Sequence, residues 1–285
     1  MKIYILGPVG ATRGGHEIVL GGSKPRTVLA ALMLARGRLV PDSQLSELLW
    51  GWHPPTTESA QIYTYVSRLR KRLAPEIDIV RQPPGYLIRV SSAEFDYEIF
   101  ERMTRSGHDQ MTIGEYSSAA RCFQSALDLW NGPTLANVTE FLASTELPRL
   151  EEARMATLES RIDADLLLGR HLRLVSELTG LVAQHPMRER LRVQLMTALY
   201  HSGRQADAMA VFHEGRHVLS EELGVDPGTS LAATYQAILR GEPTLLEERE
   251  LELGLRALPG TQPRMCMGSS PDRPWARQRT GEAHT

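Results

Sequence analysis

Ala60-Gln61-Ile62-Tyr63-Thr64-Tyr65-Val66-Ser67-Arg68-Leu69-Arg70-Lys71-Arg72-Leu73 is the stretch on which the reading of this chain turns. At 100° per residue, Ile62, Val66, Leu69 and Leu73 share one narrow stripe. The opposite face carries Ala60, Thr64, Ser67, Arg68 and Lys71, with Gln61 and Arg72 at its edge. Such a helix buries one side and presents small polar residues beside arginine on the other. Arginine can bind guanine O6/N7 bidentately, glutamine can read adenine, and a Thr or Ala methyl can meet the thymine methyl. Arg68, Arg70, Lys71 and Arg72 can also neutralise phosphates. The same pattern describes an ordinary amphipathic helix with a solvated basic face, so the flanking sequence has to decide.

Downstream, residues 77–80 and 86–90 alternate like strands around Gln82-Pro83-Pro84-Gly85, which predicts a β-hairpin. Upstream, residues 25–34 read as a helix with Val28, Leu29 and Leu32 on one face, ended by Gly37. Asp42-Ser43 offers N-cap oxygens to a second helix carrying Leu45, Leu48 and Leu49, and Thr56 or Thr57 can cap the third. Residues 3–9 and 16–20 read as two short strands joined by a Gly/Arg turn. Strands, three helices and a hairpin describe a winged helix-turn-helix with an N-terminal β-sheet, an α+β fold. The hairpin is the wing. From it Arg81, Gln82 or Tyr86 can reach the adjacent backbone or minor groove; equally, Gly85-Tyr86 can be turn chemistry with the ring packed on the domain. Lys24 and Arg26 open the first helix, where amide donors and basic side chains suit a phosphate; a solvated helix start is the plainer alternative.

Charge supports a polyanion partner for this part. The 285 residues carry a net charge of −2, but residues 1–92 hold 12 Lys/Arg against 6 Asp/Glu and the remainder 20 against 28. Apolar content of 42 % and charged content of 23 % suit a globular chain. Two cysteines, Cys122 and Cys266, cannot build a disulfide framework or a four-thiolate zinc site, which fits a reducing cytoplasm. No apolar run approaches the roughly 18 residues of a membrane span, so no membrane association is expected.

From Glu94 to about Arg240 the chain reads helical, with a repeat. Gly114-x-Tyr116-x-x-Ala119-x-x-x-Phe123-x-x-Ala126 matches Gly203-x-x-x-x-Ala208-x-x-x-Phe212-x-x-Gly215, and Gly169 opens a weaker copy with Leu174, Leu178 and Leu181. Gly169 and Gly203 lie 34 residues apart, the tetratricopeptide period. The wider gap from Gly114 to Gly169 is met by an irregular insertion over residues 131–148. Residues 1–92 are therefore expected to form the winged helix, 93–241 an all-α tetratricopeptide-like domain, and 242–285 a tail, helical over 247–255 and disordered from 259.

Two strings carry a family resemblance. Tyr65-Val66-Ser67-Arg68-Leu69-Arg70-Lys71 with Gly85-Tyr86-Leu87 resembles the DNA-binding half of the Streptomyces antibiotic regulatory proteins. Glu221-Glu222-Leu223-Gly224-Val225-Asp226-Pro227-Gly228 with Tyr235-x-x-Ile238-Leu239 resembles their bacterial transcriptional activation domain. The resemblance covers about residues 2–240. It implies an OmpR-like winged helix joined to a tetratricopeptide-like domain, acting as activator of a secondary-metabolite gene cluster. It further implies binding to direct repeats in promoter DNA, a second protomer on that DNA, and contact with RNA polymerase holoenzyme. The family's polymerase-facing loop falls at residues 50–55, where Trp52 and His53 are the contact candidates and Trp50 reads as core. Larger members add a nucleotide-binding module; Gly21-Gly22-Ser23-Lys24 lacks the spacing of a phosphate-binding loop, so no cofactor is expected.

Two competing readings remain. One is a helical-repeat adaptor whose basic domain binds a protein. The other is a zinc hydrolase, since His213-Glu214-Gly215-Arg216-His217 matches H-E-x-x-H, with two histidines one turn apart and a glutamate base. No third ligand follows at a recognisable spacing, and Phe212, Gly215 and Leu219 are claimed by the repeat. Packing is the preferred reading, and neither a metal nor an enzyme is expected.

Overall fold

The computed structural model describes residues 1–242; the tail expectations lie outside them. The chain opens with β1 (Lys2–Tyr4), β2 (Gly10–Arg13) and β3 (His16–Glu17), then α1 (Ser23–Ala35), β4 (Val40–Pro41), α2 (Asp42–Trp50) and α3 (Glu58–Leu73). The hairpin is β5 (Ile77–Gln82) and β6 (Gly85–Val90), followed by β7 (Glu94–Phe95). A four-stranded sheet runs β3-β2-β1-β7, with β7 parallel to β1, and a second sheet runs β4-β6-β5. This is the expected winged helix with its N-terminal sheet. The stripe of α3 is buried as read: Ile62 is 2 % exposed and Val66, Leu69 and Leu73 are 0 %.

Residues 3–9 do not form one strand. β1 stops at Tyr4 because the next amides find a side-chain acceptor instead of a neighbouring strand. The Asp96 carboxylate accepts from Ile5 N at 2.9 Å and Leu6 N at 3.0 Å. Beyond them, Asn131 N donates to Leu6 O at 3.0 Å and Leu135 N to Gly7 O at 2.9 Å. Asn137 closes on Val9 from both sides, accepting its N–H at 2.8 Å and donating to its carbonyl at 3.1 Å. Backbone groups in an irregular buried loop need such partners.

The expected side-chain caps are not made. Asp42-Ser43 does not cap α2, whose N-cap is Pro41, and Asp42 instead binds Arg81. Thr57 holds the N-cap position of α3, but its hydroxyl accepts from Gln61 Nε2 at 3.0 Å rather than from a backbone amide.

Strand β4 was not foreseen, and it explains Gly85. A Cβ on Gly85 would lie 2.0 Å from the Val40 carbonyl oxygen. Glycine is needed there for close approach of β4, not for turn geometry. Gly85→Ala is expected to cost about 1–3 kcal/mol by forcing the strands apart; urea unfolding of the variant measures it.

The rest is helical: α4 (Asp96–Thr112), α5 (Tyr116–Leu127), α6 (Glu140–Leu167), α7 (His171–Gln184), α8 (Glu189–His201), α9 (Gln205–Leu223) and α10 (Thr229–Arg240). The three repeat glycines occupy turns between paired helices. Gly114, Gly169 and Gly203 have φ of 78°, 72° and 75°, the left-handed region in which glycine ends helices. The insertion is irregular only through residue 139. From Glu140 it is helix, and Pro148 lies inside α6. Burial of Leu142 and Leu150 on either side outweighs the roughly 3 kcal/mol a helical proline costs.

One apolar core runs from the winged helix into the first helical pair, joining Val28, Leu45 and Val66 to Phe100, Trp130, Leu135 and Leu150. A second core fills the later repeats around Leu178, Leu195 and Phe212. Between them α6 carries charge inward. Buried Glu159 and Asp163 are answered by Arg188 (2.6 Å), Arg190 (2.5 Å) and Gln194 (2.7 Å). Among the described residues no helix is long and apolar enough to cross a membrane.

Candidate nucleic-acid interface

With its stripe buried, α3 exposes Ala60, Thr64, Ser67, Arg68 and Lys71 together. Among the described residues Arg68 and Lys71 form no ion pair, so both charges are free to meet an outside anion. The other basic residues of α3 are engaged. Arg70 Nε donates to the Ile79 carbonyl, tying the helix to the wing. Arg72 Nη1 donates to the Val19 carbonyl. Arg13, unremarked in the sequence, grips the same helix end: its Nη2 donates to Ala74 O at 2.8 Å and Arg72 O at 3.3 Å, and it pairs with Glu76 at 2.7 Å. That pairing holds the Glu76 carboxyl below its usual range. These bonds satisfy carbonyls that the helix terminus leaves open. Gln61 is held within its own helix, donating to Thr57 and accepting from the Tyr65 hydroxyl at 3.0 Å.

On the wing, Gln82 is exposed near the tip. Arg81 is locked: its two terminal nitrogens reach the Asp42 carboxylate at 2.6 and 2.7 Å, and its guanidinium lies 4.6 Å from the centre of the Tyr86 ring. Tyr86 is only 4 % exposed, which corrects its candidacy as a DNA contact in favour of packing. Burial pushes its phenol above the usual range. Tyr63, an aromatic outside the buried stripe, is 62 % exposed on α3.

Lys24 extends over the Trp50 ring, 5.0 Å from its centre, and Arg26 is half-buried near the start of α1. Trp50 packs against the core as read, while Trp52 is 88 % exposed beside exposed His53.

In the H-E-x-x-H string, His213, Glu214 and Gly215 have other partners, and His217 is exposed. His213 Nε2 lies 3.3 Å from the Tyr235 hydroxyl, and Glu214 faces Arg192 at 3.7 Å. A Cβ on Gly215 would meet Arg192 Cδ at 2.7 Å, so the motif's glycine serves helix packing. Cys122 contacts the Ser106 hydroxyl at 3.8 Å within the first helical pair.

A winged helix sharing a core with tetratricopeptide-like helices, its third helix bearing Arg68 and Lys71 outward, is the architecture of a transcriptional regulator. The comparisons agree. Residues 15–88 match the family "Transcriptional regulatory protein, C terminal", and residues 95–239 match "Bacterial transcriptional activator domain". Regulatory protein AfsR of Streptomyces coelicolor is 42 % identical over 248 residues, covering 87 % of this chain and 25 % of AfsR. Regulatory protein DnrI of Streptomyces peucetius is 38 % identical, covering 85 % of this chain and 93 % of DnrI. The solved structure of Mycobacterium tuberculosis EmbR, in complex with a low-affinity phosphopeptide, is similar with a TM-score of 0.82 and 31 % identity, over 89 % of this chain and 69 % of that one. The chain belongs to the Streptomyces antibiotic regulatory protein family of transcriptional activators. Its relatives are regulators rather than enzymes. It spans about a quarter of the length of the AfsR proteins it matches.

Proposed function

We propose that this chain is a cytoplasmic, sequence-specific DNA-binding activator of a secondary-metabolite gene cluster. α3 enters the major groove of direct repeats in promoters. Arg68 and Lys71 supply the leading contacts, and Thr64 and Ser67 refine base choice. Gln61 joins them by giving up its bond to Thr57, Arg72 turns the N–H groups not held by the Val19 carbonyl to flanking backbone beside the wing residue Gln82, and Lys24 and Arg26 lie toward phosphate at the start of α1. Arg81 positions the wing through Asp42. Two protomers lie head to tail about one helical turn apart, and the Trp52–His53 loop faces RNA polymerase holoenzyme. Residues 1–92 and 93–241 divide these tasks between DNA and protein contacts. The observation that carries the reading is the pair Arg68 and Lys71, exposed opposite the buried stripe of α3 and without an ion pair among the described residues.

Gel-shift titration across salt tests it. Affinity for a promoter fragment should fall by orders of magnitude between about 50 and 200 mM salt. Lys71→Ala should weaken binding on all sequences alike and reduce the salt slope by about 1. No shift of promoter DNA at any salt, with a protein partner held by a contact that falls far less over the same salt range, would support the adaptor reading instead.

A further inference from the structure

At the seam between the winged helix and the helical part of the chain, the end of α1, β4 and the start of α2 face α4 and α6 across a cleft of about 740 Å³. Ligand sites commonly measure roughly 300–1,000 Å³ and favour such boundaries. Leu34 and Leu142, both buried, give the cleft an apolar floor. Arginines line the rest. Arg36, from the end of α1, pairs with Glu101 of α4, and its guanidinium lies 5.2 Å from the centre of the Tyr97 ring. Arg149, from α6, lies 5.4 Å from the same ring, donates to the Tyr97 hydroxyl at 2.8 Å and pairs with Glu146 at 2.8 Å. Two guanidiniums from opposite walls are thus held against one buried phenol. Arg38 is the third: it is exposed, its Nε donates to the Ala35 carbonyl at 3.1 Å, and it makes no ion pair among the described residues.

We propose that this cleft binds a small organic anion with an apolar body, a carboxylate or a phosphate ester. The body lies on Leu34 and Leu142. The anion faces Arg38 and the outer edges of Arg36 and Arg149, whose carboxylate partners leave part of each guanidinium fork open. Because the walls come from both parts of the chain, an occupant touches the winged helix and the helical repeats at once. It would shift the seam only by as much as it prefers one arrangement over another.

The probe is 1-anilinonaphthalene-8-sulfonate, an apolar aryl body with a permanent anion, added to the full chain without DNA. The outcome therefore stands apart from the DNA reading. One dye per chain is expected. Its Kd should rise about five-fold in Arg38→Glu and about ten-fold or more in Ala35→Trp, which fills the cleft. Arg121→Glu, on the exposed side of α5, should leave it unchanged. Displacement by octanoate identifies a carboxylate site and displacement by phenyl phosphate a phosphate-ester site; displacement by neither overturns the proposal. Equal dye affinity in wild type and Arg38→Glu, with equal melting temperatures, overturns it as well. Should Ala35→Trp fail to fold, the exposed Arg38→Glu variant still decides.

Discussion

Arg68→Ala is expected to lose about 10- to 100-fold in affinity for its specific site, the 1–3 kcal/mol that a bidentate arginine–guanine pair contributes. The fold should survive, because Arg68 is exposed and touches no carboxylate among the described residues. Its loss should fall mainly on specific DNA. Affinity for a scrambled duplex should drop far less, since only one charge near the phosphates is removed. Arg68→Lys separates charge from shape: lysine keeps the charge without the planar fork, so non-specific binding should persist while discrimination is lost. Parallel titrations on specific and scrambled duplexes read both. If Arg68→Ala binds the specific site as tightly as wild type, α3 presents a different face to DNA.

Asp96→Ala is the second large effect, and it acts on stability. Removing the carboxylate strands the buried amides of Ile5 and Leu6, each worth about 1–3 kcal/mol when unsatisfied. A loss of about 2–5 kcal/mol follows, measured by urea unfolding; a loss below about 1 kcal/mol would show that water replaces the carboxylate. Asp96→Asn is milder, because an amide oxygen in the place of Oδ2 still accepts from both amides, although its NH2 then faces Ile5 N where Oδ1 accepted at 3.1 Å. The pair also carries a pH signature. Burial pushes the Asp96 carboxyl up to about 6, against the opposing pull of the Leu6, Ile5 and Tyr97 amides. A folded-state pKa above the unfolded one favours the folded state at low pH and withdraws that support as pH rises through 6. Wild type should therefore gain stability relative to Asp96→Asn as pH falls from 7 toward 4.

Much of this fold is legible in the sequence, for local reasons. The stripe Ile62, Val66, Leu69, Leu73 is set by helical periodicity, and burial follows wherever a core is available. The repeat glycines marked their turns because few other residues adopt positive φ cheaply. The exposure of Trp52 beside a packed Trp50 was legible too, since a Gly/Pro-rich loop follows the last helical turn. The interface was half legible. Arg68 and Lys71 are exposed on the face opposite the stripe, but Arg70, Arg72 and Arg81 share the basic character and spend it on carbonyls and on Asp42.

By itself, the order of residues determined which segments coil or extend, which side of each is apolar, and that Arg68 and Lys71 would lie on the side of α3 opposite its buried stripe. These depend on neighbours three or four positions away, where chain geometry leaves few choices. Folding in three dimensions decided the rest. Asp96 meets Ile5 across 91 positions, Gly85 makes room for Val40, and Asn137 clasps Val9 across 128. A hydrogen bond at such separation leaves no periodic trace, because its partners are selected by where the packed helices and sheets bring them together.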